Sequence, residues 1–408
     1  MLNTKFEPWP SFSQEEADAV SAVLLSNRVN YWTGQEGRNF EKEFAAWTDC
    51  QYAVAVANGT VALDLALKGL ELGAGDEVIV TSRTFLASVS SIVNSGATPV
   101  FADVNRDSQN IDAKTIQAVL SDKTKAIVCV HLAGWPCEMD EIMALAKAHN
   151  LYVIEDCAQA HGARYKGRSV GSIGDVGCWS FCQDKIMTTG GEGGMVTTNN
   201  ESLWRKMWAY KDHGKSYQAV YETQHPPGFR WLHESFGTNF RMTEMQAAIG
   251  RIQLKRMSEW TRIRNDYAQQ IWQAAASLDG LRVPSFHCQS CDGIECSQQG
   301  CVHAAYKCYV FVEPSQLQED WSRDAIIAAL TERGVPAFSG SCSEVYLEKA
   351  FDGSGLRPEK SLPIAKELGE TSLMFLVHPT LSQAHITMTI EALQSVMQQA
   401  SRLDSKQA

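Results

Sequence analysis

The stretch VIEDCAQAHGARYKGRSVGSIGDVGCWSFCQDKIMTTGGEGGMVTT, residues 153–198, holds short apolar runs closed by glycine-rich turns. Runs of this length, rich in Val, Ile and aromatic residues, read as buried strands: 152–154, 176–181 and 194–197. The first ends on an acid pair, which puts Asp156 at a strand's carboxyl end. Ligands of open α/β sheets bind outside those ends, so Asp156 is expected to face one. Lys185 follows four residues after Phe181, on a loop that leaves a strand and enters the 190–194 glycine turn.

Upstream, four more apolar runs, 53–57, 77–80, 99–102 and 126–130, alternate with helical spacing over 61–70, 86–93 and 140–149. The pattern predicts an α/β fold whose large domain, residues 1–255, carries a mainly parallel seven-stranded sheet. A long helical signal runs over 243–276, with a break expected near 258–260. Beyond it, strands at 305–312 and 373–377 and helices at 323–333 and 386–399 predict a smaller C-terminal α/β domain, residues 256–408.

Of the 408 residues, 44% are hydrophobic and 20% charged, enough for a full core. The net charge of −11 leaves no general surface for nucleic acid. No apolar run approaches the roughly eighteen residues of a membrane span, so no membrane association is expected. The first sixteen residues carry charges and two prolines and do not read as a signal peptide. Eight of the twelve cysteines are scattered, several in core strands, as at Cys129, Cys157 and Cys178, where a reducing cytoplasm leaves them as small hydrophobes.

An acid at a strand tip can pair with a cationic ring nitrogen, which a pyridoxal cofactor needs to act as an electron sink. A lysine amine in a partly desolvated loop can form a Schiff base. The stretch AVAVANGTVALDLAL, residues 53–67, adds a strand, then Asn58, Gly59 and Thr60, then a helix whose free N–H groups suit an anion. Phe85, in SRTFLASVSSIVNSGATPVFADV (82–104), follows a strand at the same sheet end and could stack on a planar ring.

These clusters, together with FEKEFAAW, NIDAKTIQAVL, VHLAGWPCEMDEIMALA, EDCAQAHGARYKGR, SFCQDK and TNFRMTEMQAAIGRIQLKRM, resemble the DegT/DnrJ/EryC1/StrS family of sugar aminotransferases. The resemblance implies the type I fold of pyridoxal 5′-phosphate (PLP) transferases. It implies Lys185 as the Schiff-base lysine, Asp156 as partner of the ring nitrogen and Gln159 beside the ring. Phe85 is implied as the stacking aromatic, and Gly59, Thr60 and Ser180 as the phosphate cradle. Asn239 would reach the phosphate of a neighbouring subunit, which implies a homodimer with shared sites. Asp184 and Cys182 are less usual neighbours for the family's lysine.

The same resemblance implies amino transfer from L-glutamate to a nucleotide-linked ketosugar, with a 4-keto-6-deoxyhexose preferred over a 3-keto sugar. Lys211, His213 and Arg230 are candidate contacts for its diphosphate. A dehydratase of the same fold should carry His in place of Lys185. Cys288, Cys291, Cys296 and Cys301, flanked by His287 and His303, fall outside the family pattern. They could hold a structural zinc, but the second tight pair of a zinc ribbon is missing, and free thiols in an exposed insertion are the preferred reading.

Overall fold

The computed structural model describes residues 6–284 and 300–402. The apolar runs form β1 (Tyr52–Val56), β2 (Glu77–Thr81), β3 (Thr98–Ala102), β4 (Thr124–Val130) and β5 (Tyr152–Asp156). A small hairpin, β6 (Arg164–Tyr165) and β7 (Arg168–Ser169), precedes β8 (Val176–Ser180) and β9 (Gly194–Thr198). Seven of these join in the order β1-β9-β8-β5-β4-β2-β3. Every pairing is parallel except those of β9, which runs against both β1 and β8. The mainly parallel seven-stranded sheet expected from the sequence is therefore observed.

Alternate side chains of each strand enter opposite cores, as the pleat requires. Val78, Val80, Val128 and Ile154 pack on one face with Leu65 and Met207, from α3 (Gly59–Gly69) and α7 (Glu201–Lys211). Ile79, Ile127 and Val153 pack on the other with Ile142 and Ala146 of α6 (Met139–His149). Burial on both faces is why these strands read as continuous apolar runs. The remaining helices of this part are α1 (Gln14–Leu25), α2 (Glu36–Trp47), α4 (Ala87–Ser95) and α5 (Ala113–Gln117).

α8 (Glu244–Ala275) runs unbroken for 32 residues, so the break expected near 258–260 is absent. Ser258 alone cannot end a helix whose Met257 and Trp260 are buried on its inner face. Trp260 also meets Trp9 edge-on at 5.1 Å. Residue 255 thus lies inside a single rod, which packs on α1 and α2 at one end and on the C-terminal part at the other.

That part is an antiparallel sheet in the order β10-β11-β13-β12. Its strands are β10 (Leu281–Arg282), β11 (Cys308–Val312), β12 (Ala337–Phe338) and β13 (Ser372–Phe375), accompanied by α9 (Arg323–Glu332), α10 (Pro363–Thr371) and α11 (Gln383–Ala400). The N-terminal segment, expected with the large domain, reaches across to it. Phe6 packs on His385 at 4.8 Å, and Thr380 donates a 2.9 Å hydrogen bond to the Pro8 carbonyl. No described helix is long and apolar enough to cross a membrane.

Candidate active site

At the carboxyl end of β5 opens a cavity of about 560 Å³, lined by Gly59, Thr60, Phe85, Asp156, Gln159, Ser180 and Lys185 among others. Seven of the residues singled out from the sequence therefore meet in one place. Asp156 ends β5 and is almost fully buried. Ser88, on α4, donates to its Oδ2 at 2.7 Å, and the Ala158 amide donates to Oδ1 at 3.1 Å. Burial pushes this carboxyl above its usual range, against the pull of Ser88, Ala158 and the Lys185 charge. A buried acid with its charge only partly compensated favours a cation beside it.

Beneath it, Glu155 points to the opposite face. It accepts from the amides of Gly171 (2.8 Å), Ile173 (2.8 Å) and Gly174 (2.6 Å), and lies 3.0 Å from His131 Nε2. His131 Nδ1 accepts from the Cys137 amide at 3.0 Å, which fixes the proton on Nε2. His131, Glu155 and Cys157 are the one group with metal-ligand proximity among the described residues. The Glu155 oxygens and His131 Nδ1 are already engaged by these donors, so the group reads as a brace under Asp156.

The start of α3 forms the cradle. Asn58 is extended and caps the helix by accepting from the Val61 amide at 3.0 Å. The first N–H groups, at Gly59 and Thr60, precede the intrahelical ladder and are suited to an anion. A side chain at position 59 would put its Cβ 2.5 Å from Ser180 Cβ, so glycine lets helix and strand end close on each other. Gln159 Oε1 accepts from the Ala133 amide at 2.8 Å, which orients its side chain at the cavity wall. The Phe85 ring is 72% exposed beside the opening.

Lys185 is held from behind, its amide donating to the Cys182 carbonyl at 3.1 Å and its carbonyl accepting from Trp9 Nε1 at 2.7 Å. Its side chain keeps 18% exposure, with Nζ 3.5 Å from Asp184 Oδ1. Ser88 is missed by the sequence reading, and Asp184 is marked there only as an unusual neighbour of Lys185, with no role. The first has a signal, one helical turn beyond Phe85, whereas the second needs the distant Tyr306 to give it meaning.

Four expected contacts do not line the cavity within one chain. Lys211, expected at a diphosphate, is fully buried on the inner side of α7. Its Nζ lies 3.7 Å from the Tyr31 ring centre and 3.9 Å from Asp212, and burial pushes it down to about 8. It is enclosed in the core in this structure. His213, Arg230 and Asn239 are exposed. Cys288, Cys291 and Cys296 lie outside the described residues. Cys301 is buried, with Sγ 3.2 Å from the Lys166 amide, and the buried His303 accepts from the Ala305 amide at 2.7 Å.

A profile of the DegT/DnrJ/EryC1/StrS aminotransferase family matches residues 10–394. The chain is 42% identical to GDP-perosamine synthase of Escherichia coli O157:H7 over 262 residues, 64% of this chain and 68% of that protein. It is 33% identical to dTDP-3-amino-3,4,6-trideoxy-alpha-D-glucose transaminase of Streptomyces venezuelae over 386 residues, 95% and 92% of the two chains. The crystal structure of an aminotransferase from Psychrobacter cryohalolentis superposes with a TM-score of 0.93 at 67% identity, covering 96% of this chain and 99% of that one.

Proposed function

Because the chain belongs to the DegT/DnrJ/EryC1/StrS aminotransferase family, we propose that it moves an amino group from L-glutamate to the ketone of a nucleotide-linked sugar, using PLP held between Asp156 and Lys185. The observation that carries this reading is one cavity lined by a buried carboxylate, a lysine amine and the open N-terminus of α3.

The residues present fit that group. Gly59, Thr60 and Ser180 would hold the phosphate, since the missing Cβ at 59 leaves room for backbone amides to approach it. Asp156, pushed up by burial, would hold the ring nitrogen protonated, and the added cation would return its carboxyl to the charged form. Phe85 would cover one ring face and Gln159 would flank the ring. When bound, PLP supplies an aldehyde for amine exchange and an electron-withdrawing ring. Lys185 then does the proton work, removing a proton from one carbon and returning it to another.

The preferred substrate is a 4-keto-6-deoxyhexose linked to UDP or dTDP. The Streptomyces venezuelae relative, whose name states a 3-amino product, supports a 3-keto sugar as the second reading. A homodimer with shared sites accounts for the exposure of Phe229 (80%), Trp231 (82%) and Phe236 (100%), which a second copy would cover. In that assembly Asn239 would reach the partner's phosphate, and His213 and Arg230 would lie near the partner's diphosphate. Light scattering should then give twice the chain mass.

The decisive experiment incubates the protein with PLP, reduces it with borohydride and maps the modified peptide, alongside turnover with glutamate and a panel of UDP-, dTDP- and GDP-linked 3-keto and 4-keto sugars. Label at Lys185 and aminosugar product are expected. Lys185→Arg should lose both, because a guanidinium stays charged and cannot form the linkage. Normal turnover by that variant would sink the reading.

A further inference from the structure

Behind Lys185 lies a polar cluster for which amino transfer as described has no use. The Asp184 carboxylate has one oxygen, Oδ1, 3.5 Å from Lys185 Nζ. The other accepts a short hydrogen bond from the hydroxyl of Tyr306, 122 residues away. Tyr306 is 7% exposed and directs its hydroxyl to this single acceptor. Two further cations stand nearby. Lys307 Nζ is 5.0 Å from the Tyr306 ring, and Arg264, 2% exposed, donates to the Tyr306 carbonyl at 3.4 Å and lies 4.9 Å from the Trp9 ring. The Arg264 Nε and Nη2 atoms have no partner among the described residues.

We propose that Asp184, steered by Tyr306, is a positioning residue that receives the Lys185 ammonium whenever that lysine takes up a proton during turnover. The proposal rests on the reading of Lys185 as the working base. In the step concerned, the neutral amine removes a proton from the carbon that carries the moving nitrogen and becomes an ammonium. It then gives the same proton to the second carbon, so no charge or electron is left over, and Asp184 stays a carboxylate throughout.

Three features support this. A base that gains charge in a partly dry cavity is helped by a carboxylate placed where that charge appears. Burial alone would raise the Asp184 carboxyl, but Lys185, the Tyr306 hydroxyl and Lys307 hold it below the usual range, so it is charged when needed. Burial and the Asp184 charge push the Tyr306 phenol well up, so Tyr306 remains a donor. Lys307 and Arg264, pushed down by burial to about 8 and about 9, oppose the attraction and keep the ammonium from being trapped. Asp156 and Glu192 also line the cavity, and the buried His161, pushed down to about 3, stays neutral.

The test compares Asp184→Asn, Asp184→Glu and Tyr306→Phe with the parent protein in glutamate turnover with PLP and a ketosugar acceptor. It also follows PLP capture by cofactor-free protein through its visible absorption. Asp184→Asn should lose about tenfold in kcat, the scale of one screened charge contact, with KM for glutamate within about twofold. Its capture of PLP should be no slower than the parent's, because capture needs the neutral amine. Asp184→Glu should recover part of the loss, and Tyr306→Phe should fall between. Damage to the pocket would slow capture and turnover together; that result, or an unchanged kcat in Asp184→Asn, overturns the proposal. If the parent itself fails to label at Lys185, the reading of the lysine fails instead.

Discussion

Adjacent acids at the end of β5 take opposite roles because a strand alternates its faces. That much is legible from YVIED alone: Asp156 falls on the cavity side and Glu155 on the other. The donors that make Glu155 indispensable are not legible, because they are backbone amides of a turn at 171–174 and a histidine on the neighbouring strand's exit. In Glu155→Gln an NH₂ group would meet donors where an oxygen now accepts, and about 2–4 kcal/mol of stability should be lost. Urea unfolding at neutral pH measures this, and a loss below about 0.5 kcal/mol would contradict the brace described here. The same hydrogen bonds give a pH dependence. Burial would raise the Glu155 carboxyl, yet His131 and the Gly174 and Gly171 amides more than offset it, leaving it below its usual range. Its contribution is therefore complete above the unfolded value near pH 4.5 and fades as pH falls through the lower folded value.

Elements were readable where a single periodicity ran long enough. The seven strands and α3, α4 and α6 follow from apolar spacing, but the reversed direction of β9 does not, since burial on both faces looks the same in either direction. The two-residue strands β6, β7, β10 and β12 are too short to carry a pattern. In α8 the break expected near 258–260 is absent because Met257 and Trp260 are buried on the inner face of the helix. The helix has a sharper constraint at Gly250, where an added Cβ would lie 2.6 Å from Phe40 Cζ and 3.0 Å from Thr189 Cγ2. Phe40 cannot yield: it is fully buried and packs on Phe44 and Phe181 at 5.7 and 5.5 Å. Gly250→Ala gains up to about 1 kcal/mol in helix propensity but incurs overpacking of about 1–3 kcal/mol. A net loss of stability is expected, and a raised melting temperature would show that α2 and α8 separate more easily than their packing suggests.

At the scale of the whole molecule, the sequence distinguished two α/β parts but not what joins them. Arg83, immediately before the cavity residues Thr84 and Phe85, is fully buried and has no carboxylate partner among the described residues. It donates to Gln109 Oε1 at 3.2 and 3.0 Å, to Ser343 through a short contact and to Ser372 at 3.2 Å, tying the large sheet to the C-terminal part. Arg83→Met should cost about 2–4 kcal/mol by stranding these acceptors, read as a lowered urea midpoint. A second global property follows from three histidines dispersed through the fold. His161, His303 and His378 are each pushed down to about 3, chiefly by burial. His161 shows the cause plainly: it is fully buried, with Trp179 and Phe181 at 5.4 and 5.7 Å from its ring. Each folded value lies below the unfolded one near 6.5, so between about pH 6.5 and 3 the unfolded chain binds protons that the folded chain refuses. Stability must then fall as pH drops through this window, by about 1.4 kcal/mol per pH unit for each histidine once pH is well below 6.5. This places the onset of acid unfolding above the carboxylate range in which Glu155 acts. Urea unfolding free energies measured from pH 7 to pH 5 should slope downward accordingly, and His161→Leu, which removes one buried imidazole, should flatten the slope by one histidine's share. A parent slope of zero over that interval would mean that the buried imidazoles gain protons as readily in the folded protein as in the unfolded chain.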